Sequence, residues 1–420
     1  MKLVIKKSKV NYIYFIIYFI LFVMYFRSEL GLPSFFTYLI DVINIFLFFY
    51  IINSKVDKMI RNIEFYILGL LIYVIIGLFL FRQPFILFLW GLRSNFRFYI
   101  FFIACAILLN KTNVIKVISF LKRMLIANGI MCTFQYFIQG YHRDILGGFF
   151  GSESGCNGYM NVLLIIVTSY VVIQYINKEI KLKELMLFVL ISVYISILSE
   201  LKVFFVELII IVLLAFVITK FSLKKLGIVV VSSLSLCIIM TWIPKIYPEW
   251  SNTFSLNGII ENLTSSAGYT GQGDLNRLTA ITTINNQFSN ISSVNKLFGS
   301  GLGSWEYSNT FEFLNSHNYL TYQLSHYNWI SYAWLYLELG YIGLMLYYGF
   351  FIVIGFNSLK VKSVETKGDT LLKTAFIISV LCFILSIFNV SLRMESGYLI
   401  YFVLSIPYII NKKDKEKLYV

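Results

Sequence analysis

The sequence predicts an all-α polytopic membrane protein of about twelve transmembrane helices, with both termini cytoplasmic and one large extracytoplasmic loop between spans 9 and 10. Three observations predict it. Hydrophobic residues make up 58% of the 420 positions and charged ones only 13%, about half the share of a soluble domain, and mean hydropathy is +0.77. The apolar residues come in solid runs of about 15 to 25 rather than in alternation, which excludes a β-barrel. The basic residues collect in every second connection, as the positive-inside rule requires. The same composition excludes nucleic-acid enzymes, cytosolic dehydrogenases and disulfide-stapled secreted domains.

Taken in chain order, runs long enough to cross roughly 30 Å of hydrocarbon lie near 10–26, 35–52, 63–81, 85–109, 124–139, 158–176, 185–199, 203–219, 226–243, 328–357, 372–390 and 397–410. The first is an anchor rather than a cleavable signal, because Arg27, Ser28 and Glu29 follow it without a small-residue cleavage pattern. The chain thus divides into a nine-helix membrane region (1–243), the loop (244–327), a three-helix membrane region (328–410) and a basic cytoplasmic tail (411–420). With the lysine-rich start inside, 25 of the 35 basic residues fall on the cytoplasmic side, 23 of them lysine. The net charge of +14 is therefore mostly a topology signal.

Ten basic residues remain, outside or within spans, and seven are arginine: Arg27, Arg82, Arg93, Arg97, Arg143, Arg277 and Arg393. Arginine presents a planar fork that grips phosphate or carboxylate through two bonds and stays charged when buried. An outward face enriched in it predicts an anionic partner; the alternative is AT-rich coding that inflates lysine elsewhere. Arg93 and Arg97 sit inside the fourth span, four residues apart and so on one helix face. Charge at that depth is costly unless it lines a polar cavity, pairs with acids or snorkels to the headgroups. With Gly91, Ser94 and Asn95 around them, a broken or re-entrant helix is expected there.

The 244–327 segment has too many aromatics and periodic apolar positions for a linker, and a loop of that length is functional or disordered. Asp274 is expected to cap a helix carrying Leu275, Leu278, Ile281, Ile284 and Phe288 on one stripe, with Arg277 in its first turn, where free N–H groups attract anions. The alternation of Gly299, Gly301 and Gly303 is either a plain turn or a cradle of N–H groups for phosphate. All three histidines, His142, His317 and His326, fall on the outer side, and His317 and His326 flank the tenth span as candidate general bases.

Of the other ions, Asp41 lies in the second span, Glu207 in the eighth and Glu338 in the tenth, where Glu338 is expected to counter Arg93 or Arg97. Arg393 and Glu395 are expected to cap the eleventh span. Glu200 and Lys202 occupy an outer turn, where they pair with each other or with an arginine. No spacing supports a metal site, no cofactor is implied, and the five cysteines read as core residues.

One large outer loop before the tenth span, a loop arginine, the run Leu297 to Gly303, then a histidine and the element Glu338-Leu339-Gly340-Tyr341-Ile342-Gly343 together resemble the O-antigen ligase and Wzy-type polysaccharide polymerase superfamily. Ser199-Glu200-Leu201-Lys202 is similar to a short polar turn of that family. The resemblance spans the topology, with its specific motifs confined to about 199–343. It implies a GT-C-like membrane fold in the inner (cytoplasmic) membrane with its active site facing the periplasm or cell exterior. The implied reaction is metal-independent transfer of an undecaprenyl-pyrophosphate-linked oligosaccharide, with membrane lipid, a chain-length regulator and a flippase as partners and no nucleic acid. The family's loop arginine maps to Arg277 and its histidine to His326 or His317. Here the sequence departs from the family: His326 stands twelve residues before Glu338 and His317 twenty-one, where about nine is usual. Arg277, Arg93 and Arg97 are then the pyrophosphate residues, His326 or His317 the base, and Glu200, Lys202, Glu338, Gly301 and Gly303 their support. A ligase differs from a polymerase only in its acceptor. A transporter or flippase would show two similar halves, which the sequence lacks, and a scaffold would need no arginines within a span.

Overall fold

In the computed structural model the described residues are 2–219, 264, 273–288 and 291–416. They form helices without strands: α1 (Lys2–Glu29), α2 (Leu39–Ile52), α3 (Lys58–Leu80), α4 (Phe85–Leu108), α5 (Lys111–Phe137), α6 (Cys156–Ile176), α7 (Leu182–Leu198) and α8 (Val203–Ile218). After the undescribed stretch come α9 (Ala280–Gln287), α10 (Ser293–Phe298), α11 (His317–Tyr322), α12 (Ser331–Lys360), α13 (Thr366–Phe388), α14 (Gly397–Leu404) and α15 (Ile406–Glu416). Seven of the described helices are long and apolar enough to cross a membrane. The described residues are all-helical, and the chain is a polytopic membrane protein. The predicted ninth span, 226–243, lies outside the described residues.

The helices sort into a centre and a periphery by which faces are apolar. In α6 almost every side chain is buried, as expected of a helix that is apolar all round. It packs on α5, α7, α8 and α13, while α14 is inserted against α4. On α3, by contrast, every exposed side chain from Phe65 to Leu80 is apolar, Phe79 and Phe65 most of all. In water such a face would cost stability; in hydrocarbon it costs nothing, so it faces lipid.

Several boundaries differ from the expected ones. The fifth helix begins at Lys111, thirteen residues before its predicted start, because Asn110 and Asn113 form a capping box that the apolar run does not reveal. The twelfth span is two helices meeting at Ser405, which precedes Ile406 and Pro407. The fourth span is one unbroken helix rather than a broken one, because its arginines find carboxylates from elsewhere in the chain, Asp41 and Glu395, and the backbone need not open.

The two ends of the bundle differ in chemistry. At one end lysines close the connections: Lys122 pairs with Glu184 at 2.8 Å, Lys111 with Glu365, and Lys412 donates to the last carbonyls of α4 at Ile107 and Leu109. At the other end stand the arginines.

Candidate functional site

Four arginines converge at that second end, around a cavity of about 450 Å³. Arg27 comes from the end of α1, Arg93 and Arg97 from the middle of α4, and Arg393 from the turn between α13 and α14. Pro84 caps the start of α4, so its third and fourth turns carry Arg93 and Arg97 on the same face as expected. Each guanidinium has an acidic partner brought from far along the chain. Arg93 Nε donates to Asp41 Oδ2 at 2.8 Å and lies over the rings of Trp90 (4.4 Å) and Tyr38 (4.7 Å). Arg97 Nη1 donates to Glu395 Oε1 at 3.1 Å, and its Nη2 to the Arg393 carbonyl at 3.1 Å. Arg27 pairs with Glu153.

Arg393 is the most enclosed of the four, 4% exposed, with its guanidinium 3.8 Å above the Trp334 ring. Its Nη2 reaches both Glu306 and, at 3.4 Å, Glu338 Oε2. The Nε and Nη1 of Arg393 and the Nε of Arg97 have no hydrogen-bond partner among the described residues. Buried donors of charged groups are costly to leave unpaired. Burial pushes the Glu306 carboxyl above its ordinary range against the pull of Arg393. Burial also pushes Glu395 upward, but Arg97, a backbone N–H, Arg93 and Arg27 outweigh it and hold the group below the usual carboxylate range.

Glu338 lies in α12 and is wholly buried. It does not counter Arg93 or Arg97, which Asp41 and Glu395 already neutralise; it pairs with Arg393 instead. Its second oxygen accepts the N–H of Gly303 at 3.0 Å, and its carbonyl accepts the N–H of Gly301 at 2.8 Å. The glycine run is therefore no phosphate cradle, since the N–H groups of Gly299, Ser300, Gly301 and Gly303 are all spent on the protein itself. Its glycines serve close approach. Gly299, Gly301 and Gly303 all have positive φ, and a Cβ on Gly303 would stand 2.0 Å from the Leu87 carbonyl oxygen. A Cβ on Gly299 would meet the Glu338 carbonyl at 2.1 Å, and the Gly340 kink in α12 makes room for Gly299 in turn. The run clasps α4 to α12 and so fixes where Arg93, Arg97 and Glu338 stand.

Arg277 and His326 come together beside this cavity rather than in it. The helix expected over 275–288 begins only at Ala280, because Asp274 is buried and Leu275 donates its N–H to the Ser325 carbonyl; Arg277 therefore precedes the helix. Arg277 Nη1 donates to the Trp329 carbonyl at 3.4 Å, and Tyr332 donates to the Arg277 carbonyl at 2.8 Å. The His326 ring stacks on Trp329 at 3.8 Å, with its backbone in the left-handed region (φ 50°). Trp334, under Arg393, stands five positions after Trp329, so the two clusters flank one short stretch at the start of α12. His317 opens α11 and is exposed.

Glu200 pairs with Arg143 at 3.4 Å, and Lys202 is an exposed residue just ahead of α8; neither lines the cavity. Arg393 and Glu395 are cavity residues rather than helix caps. Glu306 has no signal in the sequence beyond its place three residues after Gly303. Cys105, Cys132, Cys156 and Cys382 are buried and unpaired, as expected of core residues. No family model matches this chain. No curated protein matches it either.

Proposed function

We propose that this protein is an integral membrane glycosyltransferase that polymerises undecaprenyl-pyrophosphate-linked oligosaccharide repeat units into O-antigen, capsular or exopolysaccharide. The observation that carries the reading is the cavity at one end of the bundle, where four arginines and four aromatic rings meet. In this reading the chain has twelve spans, the lysine end is cytoplasmic, and the cavity opens on the outer side of the cytoplasmic membrane.

Polyprenyl pyrophosphate is already a good leaving group, so the chemistry asks for charge neutralisation and removal of one proton. The acceptor hydroxyl attacks the anomeric carbon of the donor sugar. The bond from that carbon to the pyrophosphate oxygen breaks, and the acceptor proton passes to a base. Arg93, Arg97 and Arg393 receive the negative charge that develops on the pyrophosphate. Their carboxylate partners hold them in place and keep the empty cavity near neutrality, which lowers the cost of burying them. His326, with Arg277 beside it, takes the acceptor side, where neutral imidazole is matched to proton removal near pH 7.

Purified protein incubated with a lipid-linked repeat unit tests this reading. A ladder of lengthening products supports it. Transfer of the unit to a different acceptor would make the protein a ligase, and flipping across vesicles without transfer would make it a transporter.

A further inference from the structure

Next to the arginine cavity lies a surface that the reaction above does not use. The connection 306–313 is held against α4 by Trp90, whose indole N–H donates to the Tyr307 carbonyl at 3.1 Å. From there an aromatic ladder runs outward. The Phe311 ring lies parallel to Tyr38 (centroids 6.0 Å, 18° between planes) and edge-on to Trp90 (6.4 Å, 89°), and Phe313 continues it at 5.8 Å. Tyr38 and Trp90 line the cavity; Phe311 is 37% exposed and Phe313 70%. Hydroxyl groups thread the same wall. Thr310 Oγ1 lies 3.0 Å from Ser34 Oγ and accepts from Tyr38 OH at 3.2 Å, while Asn309 and Thr310 are exposed beside it.

We infer that this wall, Tyr38 and Trp90 through Phe311 to Phe313 with Ser34, Asn309 and Thr310 between them, binds the saccharide portion of the substrate, one sugar after another outward from the cavity. The inference rests on the function proposed above. A pyranose ring has an apolar C–H face and a rim of hydroxyls, so it is matched by aromatic faces interleaved with small hydroxyl and amide side chains. A lipid-facing surface in this protein looks different. The exposed side chains of α3 from Phe65 to Leu80 are uniformly apolar, whereas the ladder alternates apolar and hydroxyl groups and its exposed rings, Phe311 and Phe313, sit on a connection rather than on a spanning helix. Continuity with the cavity through Tyr38 and Trp90 sets the direction of the chain: the sugar attached to the pyrophosphate lies at the arginines and later sugars lie toward Phe313.

The test uses the full chain in lipid nanodiscs and two readouts. In saturation-transfer NMR the probe is the repeat-unit oligosaccharide freed of its lipid by mild acid. Its ring C–H protons are expected to receive transfer from the wild type, with the signal lost in Phe311→Ala/Phe313→Ala. In the ladder assay the same double variant, and Phe313→Ala alone, are expected to raise the KM for the lipid-linked unit about three- to tenfold and to shorten the products, at little cost to kcat. Phe313 is exposed enough that its loss leaves the fold intact. A wild type that makes a ladder while both variants match it in KM and product length would overturn the saccharide wall and leave the polymerase standing. A wild type that shows oligosaccharide transfer, sensitive to the variants, but makes no ladder would leave the wall and refute the polymerase. Absence of any transfer from wild type to the freed oligosaccharide would also overturn the wall.

Discussion

Substituting Gly303 with alanine isolates what the glycine clasp contributes. Its φ of +93° is one that L-residues rarely adopt, and the added methyl would stand 2.0 Å from the Leu87 carbonyl oxygen and 2.6 Å from its carbon. Gly31 supplies the control: it too has positive φ (+64°) but nothing within 4 Å of its would-be Cβ. Left-handed strain costs both variants about 1–2 kcal/mol. Only Gly303→Ala adds the overpacking against α4, about 1–3 kcal/mol, and the weakened bond from its N–H to buried Glu338, about 1–3 kcal/mol. The difference between the variants is therefore about 2–6 kcal/mol, which corresponds to a fall in Tm on the order of 5 °C below the control. Thermal unfolding followed by intrinsic tryptophan fluorescence in one detergent measures it. Equal melting temperatures for the two variants would refute the clasp, because the shared strain would then account for the whole effect.

Three other outcomes follow. Glu338→Ala leaves Arg393 short of a carboxylate and Gly303 short of an acceptor in a buried site, so it is expected to cost about 3–5 kcal/mol, whereas Glu338→Gln keeps an acceptor and costs less; a reversed order in thermal unfolding would contradict the assigned contacts. Glu395 has a depressed folded pKa, so its stabilising contribution is present above the unfolded carboxyl pKa of about 4.3 and is lost as pH falls toward the folded value. The stability difference between wild type and Glu395→Gln is expected to shrink on acidification through that window, and a constant difference would show that Glu395 is not held ionised. Arg277→Lys and His326→Ala are each expected to abolish polymer in cells while the protein stays in the membrane; normal chain lengths on a gel from both would remove them from the site.

How far the site could be read from the chain depended on how local its determinants are. The membrane class is legible because a span is a continuous apolar run, and Arg93 and Arg97 stand out because charge inside such a run demands an explanation. Their partners are not legible. Asp41 lies 52 residues from Arg93, and Glu395 lies 298 from Arg97, so nothing in either neighbourhood names the other. The same holds for Gly299 to Gly303. Their alternation signals unusual backbone, but whether the freed N–H groups meet a phosphate or the protein depends on the rest of the fold, where Asn295, Leu337 and Glu338 take them. Glu306 escapes notice and Arg393 reads only as a cap of the eleventh span, because each sits in an ordinary polar turn and becomes exceptional only when the other is placed against it.

The arginine cavity is the proposed seat of the pyrophosphate. Titrating nanodisc-embedded protein with polyprenyl pyrophosphate that carries no sugar tests this directly. Wild type is expected to bind it, and Arg97→Gln and Arg393→Gln to weaken binding about 10- to 100-fold each, the equivalent of one charged hydrogen-bonded contact. Arg82→Gln, at an exposed arginine outside the cavity, is expected to bind as wild type does. Equal affinity in all four proteins would contradict the claim.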